Sequence, residues 1–321
     1  MRRDKKMREL YREAQMIIQE VQKAVVGKND VIEKIMMAII ADGHVLIEDM
    51  PGVGKTTMAL SFSRAMGILE KRVQFTPDVM PADLTGFSIY QKETGSFVYQ
   101  PGAVMCNLLL ADEINRTSPK TQSALLEVME ERKVTVDGVT RKTGEPFIVI
   151  ATENPEGSAG TQLLPESQLD RFMICIRMGY PTVDEEVEIL KRRQLGSPVE
   201  LVRKVTNTAQ ILQMQAQAAN VFVHDVVFAY IAQLAKATRE HDMLAAGMSP
   251  RGTVALAAMS RAAAWLSGRE YVLPEDVHAV FECTAAHRVR LNTKAKVAHV
   301  QVEDVLKQIL LQVKAPTIRK K

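Results

Sequence analysis

The stretch EDMPGVGKTTMAL, at residues 48–60, carries the residue types of a phosphate-binding loop. Glycines in such a loop let backbone N–H groups turn toward phosphate oxygens, and the helix that follows adds its positive N-terminal end. In this pattern Lys55 reaches the outer phosphates, and the hydroxyl of Thr56 is a ligand of Mg²⁺. The general pattern G-x-x-x-x-G-K-S/T has a glycine where this chain has Asp49, so a chance glycine-rich turn remains the alternative.

Two adjacent carboxylates, Asp112 and Glu113, follow an apolar run at residues 108–111. A buried strand of this kind delivers both side chains to the carboxyl edge of a sheet. There Asp112 would hold Mg²⁺ through its water shell, and Glu113 would polarise the attacking water. Without the glycine loop, the pair would equally indicate an ordinary acid cluster at the start of a helix.

Two further polar residues stand beside apolar runs. Asn154 follows the run at 147–151, where its amide could orient water against a γ-phosphate or simply begin an Asn-Pro turn. Arg171 precedes the run at 173–177, a place from which an arginine can reach a neighbouring subunit's phosphates. The alternative for Arg171 is a surface pair with Asp170 of the same chain.

Arg251 lies in the first turn of a predicted helix that Ser249 caps and Pro250 opens. A cation is unfavourable near the positive end of a helix dipole. The placement is easier to explain if Arg251 reaches a phosphate across a domain interface.

The elements that must position these residues alternate between short apolar strands and longer amphipathic helices. This alternation predicts a three-layer α/β domain with buried parallel strands, over residues 1–182, and an all-helical domain over residues 183–321. An Asp-Gly turn also predicts a hairpin over residues 133–144. The predicted strands are 45–48, 73–75, 108–111, 147–151 and 173–177, and the clearest helices of the first domain are 57–66 and 119–132.

Composition excludes several classes of protein. The chain has 321 residues, 46% of them apolar, and a net charge of +3 with both signs interspersed, so no block forms a polyanion-binding tail. No apolar run reaches the roughly 18 residues of a membrane span. The three cysteines lack metal-ligand spacing and indicate buried thiols in a reducing compartment. We therefore expect a cytoplasmic protein without a membrane segment.

With these pieces in this order, the chain closely resembles the MoxR family of AAA+ ATPases over nearly its whole length. Residues 25–35 resemble the family's adenine-contacting segment, with Val26 and Gly27 at its centre. The family commonly carries an acidic residue at the position of Asp49, so the resemblance favours a functional phosphate loop. The longer matching stretches are 75–86, 109–138, 163–181, 249–277 and 287–289.

The resemblance implies an α/β fold with a P-loop NTPase core. Its five-stranded parallel sheet has the order 5-1-4-3-2 with helices on both faces, and a C-terminal all-helical lid follows. Glu113 would be the Walker B base, Asn154 sensor 1, Arg171 the arginine finger and Arg251 sensor 2. Thr56 and Asp112 would hold Mg²⁺. The implied nucleotide-binding residues are Val26, Gly27, Pro51, Gly52, Val53, Gly54, Lys55, Thr56 and Thr57.

The resemblance also implies a function. It indicates an ATPase that forms a homo-oligomeric, usually hexameric ring and remodels or matures protein clients. A partner with a von Willebrand factor A domain and the insertion of metal cofactors are further implications. We expect ATP and Mg²⁺ to bind between the α/β domain and the lid, with Arg251 and Asn154 contacting the γ-phosphate.

Two alternatives remain open at this point. A nucleotide-gated scaffold with little hydrolysis is suggested by the unusual segment at 152–160, where Glu153 replaces a more usual glutamine. A nucleic-acid motor has only Arg141 and Lys142 of the predicted hairpin in its favour, so we expect no nucleic acid among the partners.

Overall fold

The computed structural model describes residues 2–50, 52–154, 164–194 and 196–317, with side chains from residue 9 onward. The strands are β1 Val45–Glu48, β2 Glu70–Gln74, β3 Phe87–Gln91, β4 Ser96–Gln100, β5 Leu108–Asp112, β6 Lys133–Val136, β7 Val139–Lys142, β8 Ile148–Glu153, β9 Ile174–Ile176, β10 Leu244–Ala246 and β11 Arg290–Leu291. The α-helices are α1 Arg2–Ala24, α2 Asn29–Ile40, α3 Lys55–Met66, α4 Pro81–Thr85, α5 Pro119–Glu131, α6 Glu166–Leu169, α7 Val183–Gln194, α8 Thr208–Ala219, α9 Asp225–Glu240, α10 Pro250–Leu266, α11 Pro274–Ala285, α12 Thr293–Val297 and α13 Val302–Gln312. Short 3₁₀ helices are Ile114–Arg116, Pro198–Leu201 and Ala286–Arg288.

Five parallel strands form the central sheet in the order β2-β5-β8-β1-β9. Counted among these five strands alone, the order is 2-3-4-1-5, which confirms the predicted order 5-1-4-3-2. Strands β5 and β8 are buried at every position, as their continuous apolar runs predict. The edge strand β2 begins three residues before its predicted start at Val73. Its first three residues are polar, so the pattern of apolar runs does not predict them as part of a strand.

Two hairpins project from this core. The hairpin β6–β7 confirms the predicted one, and its turn places Asp137 and Gly138 at φ 52° and 74°, as a two-residue hairpin turn requires. The hairpin β3–β4 was not predicted, because its exposed strands do not show a buried-strand pattern. The Arg141 guanidinium lies 3.9 Å from the ring centroid of Tyr99 and so links the two hairpins.

The C-terminal region is helical, with one exception. Strands β10 and β11 form a short antiparallel ribbon that the sequence analysis missed, since each has only two or three residues. One apolar core joins this region to the first two helices, for example through Ile35 of α2 and Leu256 of α10. The boundary at residues 182 and 183 stays a prediction. In the described parts of the chain, no helix is long and apolar enough to cross a membrane.

Serine side chains cap the starts of α5 and α10, and the cap predicted at Ser249 is confirmed. Ser118 accepts a hydrogen bond from the backbone N–H of Thr121 at 3.3 Å, where α5 begins. Ser249 accepts one from the N–H of Gly252 at 3.0 Å, where α10 begins. The cap at Ser249 therefore fixes the start of α10, whose first turn carries Arg251. The cysteines are free thiols, with Cys175 half-buried and the other two buried.

Candidate functional site

The phosphate-loop motif connects β1 to α3, as predicted. Gly52 and Gly54 have φ values of 89° and 97°, which L side chains rarely adopt, and Gly54 is the cap residue immediately before α3. The Lys55 Nζ donates a hydrogen bond to the backbone carbonyl of Asp49 at 2.6 Å. The lysine therefore lies folded over the loop, at the end of the sheet from which the loop emerges. Pro51 lies outside the described residues.

Asp49 has a structural role that a glycine could not fill. Its Oδ1 accepts from the N–H of Met50 at 2.8 Å. Its Oδ2 accepts from the N–H groups of Met178 and Gly179 at 2.7 and 2.6 Å. The carboxylate thus ties the start of the phosphate loop to the chain that leaves β9.

Asp112 ends β5 with a buried carboxylate. Its Oδ1 accepts from the hydroxyl of Thr152 at 3.2 Å, and its Oδ2 accepts from Arg72 Nε at 2.7 Å. An ionised carboxylate can be buried only when charged or hydrogen-bonding groups compensate it, and both are present here.

Glu113 follows with φ 57° and ψ 49°, an uncommon left-handed conformation for a residue that is not glycine. Its backbone N–H donates to the Thr152 hydroxyl at 2.9 Å. Since the same hydroxyl donates to Asp112, Thr152 of the neighbouring strand positions both members of the acidic pair. The Glu113 Oε2 accepts from Arg116 Nη1 at 2.7 Å.

Lys55 lies within electrostatic reach of the acidic groups at this edge of the sheet. Burial lowers the pKa of Lys55, and four carboxylates raise it in opposition, those of Asp49, Asp112, Glu113 and Glu153. Asn154 directly follows β8 at the same edge of the sheet, and its backbone carbonyl accepts a hydrogen bond from Asn115 Nδ2 at 3.0 Å. The predicted phosphate loop, acidic pair and strand-end asparagine therefore meet at the carboxyl edge of the sheet.

A cavity of about 230 Å³ lies beside the phosphate loop. Val26 lines it, as the resemblance to an adenine-contacting segment implies. Gly27 adopts φ 72°, and a Cβ there would collide with the carboxyl group of Glu185 in α7. The other lining residues are Ala24, Val25, Lys28, Gly52, Val53, Gly54, Thr57, Pro181, Ile189, Arg193 and Pro198.

Arg171 and Arg251 lie together at a different place, the end of α5. Arg171 Nη1 donates to the carbonyl of Leu126 at 2.7 Å and lies 3.5 Å from Glu130 Oε2. Arg251 Nη2 lies 2.8 Å from Glu130 Oε1. The expectation that Arg251 contacts a γ-phosphate stays a prediction; in the structure its guanidinium pairs with Glu130.

The alternative pair of Asp170 with Arg171 does not form either. The Asp170 carboxylate accepts instead from Arg288 Nε and from the Ser249 hydroxyl, both at 2.7 Å. Arg288 is buried and also donates to backbone carbonyls around β9. Asp170 therefore holds the segment before β9 against the start of α10.

Comparisons with known proteins identify both the sheet region and the helical region. The model of the ATPase family associated with various cellular activities (AAA) matches residues 44–174, and that of the AAA lid domain matches residues 236–309. The chain is 39% identical to Chaperone MoxR1 of Mycobacterium tuberculosis, over 93% of this chain and 81% of that protein. It is 30% identical to Protein MoxR of Methylorubrum extorquens, over 92% and 93%. The chain belongs to the MoxR family of AAA+ ATPases.

A solved structure supports the same assignment of this MoxR protein. The crystal structure of a predicted ATPase from Cytophaga hutchinsonii superposes with a TM-score of 0.90, at 34% identity and 98% coverage of both chains. The similarity therefore includes the helical C-terminal region as well as the sheet.

Thr152 belongs to the candidate site, although the sequence analysis does not single it out. Its hydroxyl became significant once the β5–β8 pairing placed it between Asp112 and the N–H of Glu113. The available signal was a polar residue in an otherwise apolar strand next to the acidic pair.

Asp49→Asn should destabilise the protein, because an amide retains the shape of the side chain but loses the charge that accepts three backbone N–H groups. We expect the free energy of unfolding to fall by about 1–3 kcal/mol. Urea unfolding measures it, with Asp78→Asn, at an exposed aspartate, as the control. Equal values for the two variants would contradict the role assigned to Asp49.

Glu153 is buried opposite Glu48 in the sheet register, and its Oε2 has no hydrogen-bond partner among the described residues. Burial, and then the charge of Glu48, raise the pKa of Glu153 from 4.5 to about 7, against the lowering effect of Lys55. Near neutral pH its carboxyl is therefore partly protonated and resembles the neutral glutamine more usual in the family.

This raised pKa predicts a pH-dependent stability. The folded protein holds the Glu153 proton more tightly than the unfolded chain, so this contribution is complete below pH 4.5 and is lost as the pH rises through 7. Glu153→Gln should therefore raise the free energy of unfolding at pH 8 by roughly 2 kcal/mol, and much less at pH 5. Urea unfolding at both pH values tests it, and the same difference at both would refute the pKa assignment.

Proposed function

We propose that this MoxR protein binds ATP with Mg²⁺ at the Lys55 loop and hydrolyses it. The observation that carries the proposal is that the Thr152 hydroxyl bonds both to Asp112 and to the backbone N–H of Glu113, and that both carboxylates act electrostatically on the half-buried Lys55. Phosphoryl transfer depends on such fixed positioning of a charge and a base-like group around the phosphates.

The residues suit Mg²⁺. Mg²⁺ prefers oxygen ligands and is commonly held by one or two protein groups together with substrate phosphates. Thr56 and Asp112 supply a hydroxyl and a carboxylate of this kind. Bound Mg²⁺ would neutralise phosphate charge.

Each residue of the site would have a separate role in binding and hydrolysis. Lys55 would bind the outer phosphates, while Glu113 would accept hydrogen bonds from the attacking water and polarise it. Asn154 would orient that water from the neighbouring strand end. Val26, Val53, Gly54 and Thr57 would line the nucleotide's remaining surface.

We further propose that the active assembly is a homo-oligomeric ring, with six subunits as in the family resemblance. Arg171 and Arg251 share Glu130 at a place away from the phosphate-loop cavity, which suits residues that act on a neighbouring subunit's nucleotide. In this scheme both arginines complete the next subunit's site, and Arg251 acts there instead of on its own chain's phosphates.

The work driven by hydrolysis is proposed to be chaperone-like remodelling or maturation of protein clients. The name of the relative from Mycobacterium tuberculosis, Chaperone MoxR1, supports this class. On the basis of the family resemblance, we also propose a partner with a von Willebrand factor A domain, a role in metal-cofactor insertion and a cytoplasmic location.

One observation favours the scaffold alternative. The Glu113 carboxylate is engaged by Arg116, and a base held in this ion pair would hydrolyse ATP slowly until the arginine moves. The nucleic-acid alternative loses part of its support, because Arg141 stacks on Tyr99 and donates to carbonyls of its own hairpin.

Lys55→Ala tests the site directly. Loss of the ammonium group that faces the phosphates should weaken MgATP binding by about tenfold or more, since charge-assisted contacts are the strong ones. Calorimetry with MgATP measures the affinity, and phosphate release measures turnover. Lys120→Ala, an exposed lysine on α5, is the control. Unchanged affinity in Lys55→Ala would place the nucleotide elsewhere.

A further inference from the structure

The arginine pair is centred on one carboxylate. Glu130 Oε1 contacts Arg251 at 2.8 Å, and its Oε2 lies 3.5 Å from Arg171. Arg171 has a further buried donor, Nε, without a hydrogen-bond partner among the described residues. Two guanidinium groups are thus gathered around a single acid, with donor capacity to spare.

The backbone that carries the two arginines is tied together independently of Glu130. Asp170, next to Arg171, accepts from the hydroxyl of Ser249, two residues before Arg251. The buried Arg288 donates to the same Asp170. Removing the Glu130 charge would therefore leave both arginines presented side by side on one surface.

Glu130 itself is poorly placed without the arginines. It stands one residue before the end of α5, where the negative end of the helix dipole disfavours a carboxylate. Its side chain is 44% exposed, so water screens its pairing with Arg251 and the pairing can be exchanged. A polyphosphate offers two guanidinium groups more charge and better bidentate geometry than one carboxylate does.

We propose that Glu130 is a positioning residue that holds Arg171 and Arg251 as a pair in the free subunit and yields them to a nucleotide polyphosphate bound by a neighbouring copy of the chain. The proposal rests on the proposed function, in which both arginines act on a neighbouring subunit's nucleotide, and adds Glu130 as a competitor for them. Because Glu130 and the polyphosphate compete for the same two arginines, Glu130 sets the protein concentration at which subunits activate one another.

Binding of inorganic tripolyphosphate tests the competition without turnover. The test uses a Lys55→Ala background, which weakens the chain's own phosphate loop. There Glu130→Gln should bind tripolyphosphate about fivefold more tightly. This factor corresponds to the loss of an exposed ion pair worth about 1 kcal/mol. Glu127→Gln, an exposed glutamate one turn earlier on α5, should change nothing. Adding Arg171→Ala to Glu130→Gln should abolish the gain. Equal affinities for the Glu130 and Glu127 variants would overturn the proposal.

The otherwise unmodified chain supplies the second readout. Glu130→Gln should reach half-maximal ATPase activity at a protein concentration about fivefold lower than the parent, with a maximal rate within about twofold. An unchanged midpoint, or loss of activity at every concentration, would overturn the role of Glu130. Failure of in-trans action itself would appear separately, as absence of rescue when Arg171→Ala and Lys55→Ala proteins are mixed.

Discussion

Glu113→Gln should stop steady ATP hydrolysis while leaving ATP bound. Glutamine preserves the size of the side chain and the backbone N–H bond to Thr152, so the acidic pair keeps its geometry. It cannot accept a proton or polarise water as a carboxylate does, and general-base contributions of this kind are about 10²–10⁴-fold in rate. The same change removes the Arg116 ion pair, which leaves the arginine free without restoring a base.

Single-turnover assays separate the two parts of this result. The variant should retain ATP, recovered unhydrolysed after rapid gel filtration, with an affinity close to that of the parent. Glu93→Gln, at the exposed tip of the β3–β4 hairpin, should hydrolyse at the parental rate. Parental turnover in Glu113→Gln would mean that another group activates the water.

Arg171→Ala should bind ATP normally and lose about 10³-fold in hydrolysis, the scale of an arginine that stabilises transition-state charge. The chain's own nucleotide contacts are untouched, because Arg171 lies against Leu126 and Glu130 and not beside the phosphate loop. Its effect should therefore be confined to the neighbouring subunit's site.

Mixing identifies where the arginine acts. Lys55→Ala subunits bind nucleotide weakly but retain Arg171, whereas Arg171→Ala subunits bind nucleotide but lack the arginine. Mixed assemblies should recover part of the parental rate, while each variant alone stays inactive. Without recovery at any mixing ratio, Arg171 would be assigned to its contacts within the chain.

Local motifs made much of the site predictable. The phosphate loop, Asp112, Glu113 and Asn154 each stand at the end of a recognisable strand, and parallel strands bring those ends to one edge. The same logic placed all five strands of the sheet, although the polar β2 began earlier than predicted. Short-range capping chemistry likewise predicted the start of α10 at Ser249 and Pro250.

Local sequence patterns could not predict contacts between residues that are far apart in the chain. The family resemblance accounts for an acidic residue at Asp49, but not for its partners, the N–H groups of Met178 and Gly179. The helix that carries Arg251 could be predicted from Ser249 and Pro250. The pairing of Arg251 with Glu130 of α5 could not, because it joins parts of the chain that are far apart in sequence.

The most direct measurement is the specific ATPase rate as a function of protein concentration, with Glu113→Gln measured beside the parent. If sites are completed by Arg171 of a neighbouring subunit, the parental rate per subunit rises with concentration and then levels off, and the variant shows no turnover. A rate per subunit that is constant down to the lowest concentration, at which the chain is monomeric by light scattering, would contradict composite sites between subunits.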